Sequence, residues 1–260
     1  MAWRWSDTSE ADAASAARAR VEEVVAAIAA GRRPERGDYA DRPMREERLA
    51  THPQDAAEPY AIVTRNAQGA DVLNTARVPF LDLDFAHLPG SGLVASLKRL
   101  FGGKKPDSKE ARALAHVERW LGGVPGARVR VYRTCAGLRV LMLDRLLDPA
   151  GEEAQRLLGS LGADPLYTRL CRVQGCFRAR LTPKARRLRM KRMPHGWPAA
   201  DAAEVAARAA WLAEYRERSR AVGVCHLIAE LGSGTTLPEA AHVRELHDLV
   251  ALAAPDVKLA

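Results

Sequence analysis

The run RVPFLDLDF at residues 77–85 constrains the fold more than any other stretch of the chain. Its apolar residues alternate with others at a period of two, the pattern of a strand. Leu81, Leu83 and Phe85 then point to one side of a sheet, and Phe80, Asp82 and Asp84 to the other. Carboxylates two residues apart in such a strand are costly to bury unless something cationic lies beside them. The fold must therefore bring positive charge to that side of the sheet.

The flanking segments supply candidates. Residues 128–134 and 138–144 read as two strands joined by the tight turn Cys135-Ala136-Gly137, and 176–182 as another, with a short one at 170–172. The first sends Val129 and Val131 inward, opposite Arg128, Arg130, Tyr132 and Thr134. The last sends Phe177, Ala179 and Leu181 inward, opposite Arg178, Arg180 and Thr182. Between the strands, 93–101, 108–121 and 151–161 have helical patterning. The order predicts an α+β fold with an RRM- or ferredoxin-like βαββαβ antiparallel sheet core, in which the first and third strands are neighbours. Helical additions flank it. Ser9 and Asp12 start an N-terminal helix that Gly31 stops, and Asp201 with Glu204 starts a long one reaching about Arg220. A short strand at 223–231 and a helix from Pro238 to about Ala253 end the chain. The expected division is 1–58 (helix and charged linker), 59–198 (core, opening with a hairpin turned at Asn66–Gly69) and 199–260 (helical extension packed on the core).

The charge is uneven. Between Asp164 and Asp201 there is no acidic residue and there are ten Lys and Arg, so a net charge of +8 leaves −2 for the remainder. A concentrated cationic segment attracts polyanions, with nucleic acid and nucleotide phosphates foremost; the alternative is a solvated basic loop. Two arrangements satisfy Asp82 and Asp84. One is a divalent cation, Mg²⁺ or Mn²⁺ over Zn²⁺ because no Cys/His set is near; the other is ion pairing to Arg130, Arg178 or Arg180. A metal beside arginines would neutralise phosphoryl oxygens, as phosphate transfer or nucleotide binding requires.

Three segments together resemble the archaeo-eukaryotic primase superfamily, the primase-polymerases. FLDLDF (80–85) is similar to its first motif, an apolar strand presenting two acidic metal ligands on an RRM-like sheet. RVYRTCAGLRVLML (130–143) resembles its second, a Gly-containing hairpin followed by a basic residue that contacts nucleotide phosphates. CFRARLTPK (176–184) resembles the Arg- and Lys-bearing strand and turn after the metal site. The likeness spans about 105 residues, near two-fifths of the chain. Arg139 stands where the second motif usually carries His, and the third acidic ligand has no clear counterpart, Asp144 and Asp164 being candidates by order. The resemblance implies a divergent or inactive superfamily member and, for an active one, a metal-dependent nucleotidyltransferase acting on nucleoside triphosphate, DNA or RNA. Asp82 and Asp84 would be its catalytic metal ligands for Mg²⁺ or Mn²⁺. Arg130, Arg139, Arg178, Arg180 and Lys184 would bind phosphate or nucleic acid, with Thr134 and Gly137 shaping the hairpin. The rival is a non-catalytic nucleic-acid-binding module using the same basic open sheet face, with both aspartates paired to arginines.

Other features carry less. His242 and His247 are badly spaced for one metal and read as core or surface residues. Cys135, Cys171, Cys176 and Cys225 lack paired CxxC spacing, which suits reduced thiols. No apolar run spans a bilayer and the first residues have no secretory h-region, so a cytoplasmic protein without membrane partners is expected.

Overall fold

The computed structural model describes residues 9–32, 45–54, 57–86 and 108–260. The chain divides into two units, Met1–Arg42 and Pro43–Ala260. The first contains α1 (Glu10–Ala29), begun where the Ser9 hydroxyl accepts the Asp12 N–H and followed by Gly31 at positive φ. Val21, Val25 and Ile28 on its apolar stripe are exposed.

The second unit is mixed α+β and holds two four-stranded antiparallel sheets. One has the order β1-β2-β3-β7: β1 (Glu47–His52), β2 (Ala61–Arg65), β3 (Asp71–Thr75) and β7 (Phe177–Arg180). The other has the order β4-β6-β5-β8: β4 (Phe80–Asp84), β6 (Gly137–Met142), β5 (Arg128–Thr134) and β8 (Cys225–Gly232). The helices are α2 (Lys109–Gly122), α3 (Glu152–Ser160), α4 (Pro165–Gln174), α5 (Ala202–Ser219) and α6 (Pro238–Ala251). No helix among the described residues is long and apolar enough to cross a membrane.

The alternation of 77–85 divides the interior as expected. Leu81 and Leu83 join Val129, Val131, Leu138, Val140 and Met142 in a core closed by Val117 of α2 and by Ala154, Leu157 and Leu158 of α3. Phe80, Tyr132, Leu141 and Leu143 face the other way, into a second core with Leu73, Ala179, Leu181 and, from α6, Ala240, Val243 and Ala251. That second core corrects one expectation. The face carrying Asp82 and Arg139 is covered, not open, because its own large apolar residues require burial and α6 and the β3–β7 region supply it. Strand β6 is buried at every position.

Three further elements differ from expectation. The segment 176–182 provides β7, which pairs with β3 instead of extending the β4-β6-β5 sheet (Asn74 opposite Arg178, Thr75 opposite Phe177). Where β7 passes β4, the Tyr167 hydroxyl stands between them, donating to the Phe80 carbonyl (2.7 Å) and accepting the Arg178 N–H (3.3 Å). Residues 170–172 lie in α4, capped by Asp164 through the Tyr167 N–H and ended by Gly175 at φ 61°. Glu47–His52, inside the stretch read as a linker, is an edge strand. Its charges have partners: Glu47 meets Arg65 (3.2 Å) and Arg208 (3.3 Å), and neighbouring Glu46 meets Arg178 (2.7 Å). The expected helix at 93–101 lies outside the described residues.

Candidate functional site: an anion-suited cleft at the β4–β6 edge

Asp82 and Arg139 are directly opposed on β4 and β6. The Arg139 Nε donates to Asp82 Oδ1 at 3.0 Å, and Nη2 reaches Oδ2 at 3.5 Å. Nη1 donates to the Arg180 carbonyl (2.8 Å) and to Nε2 of His247 (3.2 Å). A guanidinium has no acceptor, so Nε2 is the accepting nitrogen and the ring is neutral with its proton on Nδ1, given to Asp248 Oδ1 at 2.9 Å. Burial lowers the His247 pKa and, with the Arg139 charge, prevails over the Asp248 hydrogen bond. For Asp82, burial acts upward, but the Arg139 charge and hydrogen bond, with Arg180 and Lys184, hold the carboxyl below its ordinary value.

This pair lies at a cleft of about 350 Å³. Asp84 and Asp164 also line it, as do Thr134 and Gly137 of the β5–β6 turn. Gly137 is sterically required there. A Cβ would sit 1.9 Å from the Leu83 carbonyl oxygen on β4. The Thr134 hydroxyl closes the turn, accepting the Gly137 N–H (3.2 Å) and lying 3.1 Å from its carbonyl. Arg180, Lys184 and Arg187 line the cleft together with Arg139, and Leu166, Leu170 and Val224 add apolar surface. Burial and the charges of Arg180, Arg187 and Arg186 push the Lys184 pKa down to about 8. Burial, aided by Arg139 and Arg187 against Asp82, pushes Arg180 down to about 10. Burial is the first cause of both shifts, and four cations, Arg139, Arg180, Lys184 and Arg187, share the cleft with three carboxylates, Asp82, Asp84 and Asp164.

The cationic segment continues outward. Ala185, Leu188 and Met190 are buried with Tyr215 and Trp211, which turns Arg186 and Arg189 to solvent, followed by exposed Lys191 and Arg192. From Arg180 to Arg192, none of the seven Lys and Arg makes an ion pair with a described carboxylate, whereas Arg178 just before them does.

Of the residues singled out in the sequence, the fold thus brings Asp82, Asp84, Thr134, Gly137, Arg139, Arg180 and Lys184 to one cleft. It sends two elsewhere. Arg178 turns to Glu46, and Arg130 to Asp248 (3.0 Å) and Glu230 (3.8 Å) beside a separate groove. Asp144 caps the Arg128 N–H and pairs with Arg145. Asp82 is ion-paired, by Arg139 and not by Arg130, Arg178 or Arg180. The sequence carries no site signal for Tyr167, His247 or Asp248, and marks Arg187 only by its place in the cationic run.

Asp82 and Asp84 offer hard oxygens on one strand face. The Asp82 side chain remains 42% exposed, and Asp84 Oδ1 takes the Ala86 N–H at 2.9 Å. The pair is chemically suited to a divalent cation shared with a phosphate. Among the described residues no three His, Cys, Asp or Glu side chains are grouped to hold a metal by themselves. All four cysteines are free. Comparison with protein-family models, curated proteins and solved structures finds no significant match to this chain.

Proposed function

We propose that the cleft binds the phosphates of a nucleotide or of a nucleic-acid strand, on a primase-polymerase-like core whose RRM-like part is β4-α2-β5-β6. The observation that carries this reading is the convergence of Arg139, Arg180, Lys184 and Arg187 on one cleft, with Lys184 and Arg187 unpaired by any described carboxylate. A phosphate supplies the missing negative charge, and arginine meets it with paired N–H donors. Leu166, Leu170 and Val224 give the same cleft an apolar side suited to a sugar or base. The exposed Arg186, Arg189, Lys191 and Arg192 continue positive charge past the residues that line the cleft, which favours a strand.

The test is equilibrium binding of ATP and of a fluorescent oligothymidylate between roughly 50 and 200 mM salt. Affinity should fall with salt, and Lys184→Ala with Arg187→Ala should lower it about a hundredfold, near 1.4 kcal/mol per tenfold step. Unchanged binding by that folded double variant would sink the reading.

A second reading, metal-dependent nucleotidyl transfer, is favoured by one observation: Asp82 and Asp84 line the same cleft as the cations. These two would hold Mg²⁺ or Mn²⁺, which when bound neutralises charge on the phosphoryl oxygens. Arg139, Arg180 and Lys184 would orient the phosphates. Calorimetry with Mn²⁺, alone and with nucleoside triphosphate, should give heat that Asp84→Asn abolishes; a heat identical in the variant rules this reading out.

A further inference from the structure

The Arg139 guanidinium is 2% exposed, and its orientation decides which N–H faces the cleft. Asp82 takes the Nε edge, and the Arg180 carbonyl takes one Nη1 hydrogen. With the longer contact from Nη2 to the second Asp82 oxygen (3.5 Å), these oxygens still leave one Nη1 hydrogen buried and in need of an acceptor. That acceptor, on the remaining Nη1 hydrogen, is Nε2 of His247. That ring is 0% exposed and held on every side. Phe80 of β4 packs at 5.3 Å between ring centroids and Tyr132 of β5 at 4.7 Å. Its Nδ1 is tied to Asp248, whose Oδ1 also accepts the Tyr132 hydroxyl (2.8 Å) and whose Oδ2 meets Arg130 (3.0 Å).

We propose that His247 is a positioning residue for the cleft: as a neutral acceptor locked by Asp248, it sets the Arg139 guanidinium in the orientation that receives phosphate. The inference rests on the phosphate-binding reading for its consequence, though not for the contact itself. His247 does not line the cleft and acts through one hydrogen bond, to Arg139. A glutamine carries a carbonyl oxygen to nearly the place of Nε2, while leucine fills the volume and accepts nothing.

The experiment uses the full chain with ¹⁵N-labelled histidine and arginine. In the wild type, His247 should show the Nδ1–H tautomer, and Arg139 should give a protected Nε–H resonance. That resonance should broaden or vanish in His247→Leu and persist in His247→Gln. Binding of the fluorescent oligothymidylate should weaken about tenfold in His247→Leu and recover to within about threefold of wild type in His247→Gln. An Nε2–H tautomer, or His247→Leu with unchanged Arg139 resonance and affinity, overturns the proposal. If His247→Leu does not fold, a His247→Gln variant that loses the Arg139 resonance overturns it and one that keeps the resonance and the affinity supports it. Failure of the wild type to bind overturns the cleft reading alone, and the Arg139 resonance then decides the positioning.

Discussion

Replacing Arg139 by Met keeps most of its volume and removes every polar contact at the centre of the cleft. Three acceptors lose their donor: the Asp82 carboxylate, the Arg180 carbonyl and Nε2 of His247. Breaking a buried charged pair by deleting one member costs about 3–5 kcal/mol. The Asp82 side chain is 42% exposed, so water entering the cleft offsets part of its loss and the lower end, about 3 kcal/mol, is expected. At roughly 2–4 °C per kcal/mol for a domain of this size, the Tm falls by about 6–12 °C. The pH dependence gives an independent sign. In the wild type the Asp82 pKa is depressed, so its contribution is complete above the ordinary carboxylate range and is lost as pH falls through the lowered folded value. Without Arg139 the largest downward influence is gone and burial raises the pKa, so the variant protonates first. Its deficit relative to wild type should therefore shrink as pH drops from neutrality toward about 3. Urea denaturation of both proteins across that range measures it. A deficit under about 1 kcal/mol at neutral pH, or one that widens in acid, would refute the claim that Arg139 anchors Asp82.

Gly137→Ala should cost about 1–3 kcal/mol or more, because its Cβ would lie 1.9 Å from the Leu83 oxygen and only backbone movement relieves that; Gly159→Ala, in open space on α3, should gain about 0.5–1 kcal/mol in the same melts. Lys184 has a depressed pKa of about 8, and a bound phosphate favours its charged form. Oligonucleotide affinity should therefore fall as pH rises through about 8, and Lys184→Met should be flat there. Tyr167→Phe leaves the Phe80 carbonyl and the Arg178 N–H without their bridge, costing about 1–3 kcal/mol; hydrogen exchange at Arg178 should accelerate, and unchanged exchange would discount the bridge. Burial pushes the thiols of Cys171 and Cys225 up to about 12 and Cys176 to about 11, so iodoacetamide should label exposed Cys135 alone in the native protein, as mass spectrometry would show.

What the sequence made legible follows from local chemistry. Alternation at 80–85 placed Asp82 and Asp84 on one face, and the Thr134–Gly137 turn placed a hairpin beside them, because both depend on neighbours in the chain. The pairing of β4 with β6 followed from the inferred order and is present. The partner of β7 was not legible. FRAR has the same alternation whether it lies beside β3 or β4; its ladder partner β3 lies about a hundred residues earlier in the chain, and on the β4 side the Tyr167 hydroxyl stands in place of a ladder. Glu47–His52 reads as solvated because its charges stand without their partners until Arg65 and Arg208 fold against it. His247 reads only as a core or surface residue for the same reason: its contacts exist only once α6 lies across Phe80 and Tyr132.

The cleft forms where the two sheets meet without a shared ladder. At that seam, backbone groups of β4 and β7 need partners, and side chains supply them: the Tyr167 hydroxyl for Phe80 and Arg178, the Arg139 guanidinium for Arg180. A backbone ladder would have filled this space and left no room for a ligand. Side-chain partners reach across a wider gap, and Arg139 brings charge with it. The same residue therefore both satisfies the seam and electrifies the cleft. Asp82 balances one positive charge, while Lys184 and Arg187 add others that raise the electrostatic cost of the folded state. A chain selected for stability alone would have no use for that excess beside a half-buried lysine. Under the proposed function, an anion bound there would remove the repulsion, and the cationic cluster and the gap between the sheets would then serve one arrangement for receiving phosphate.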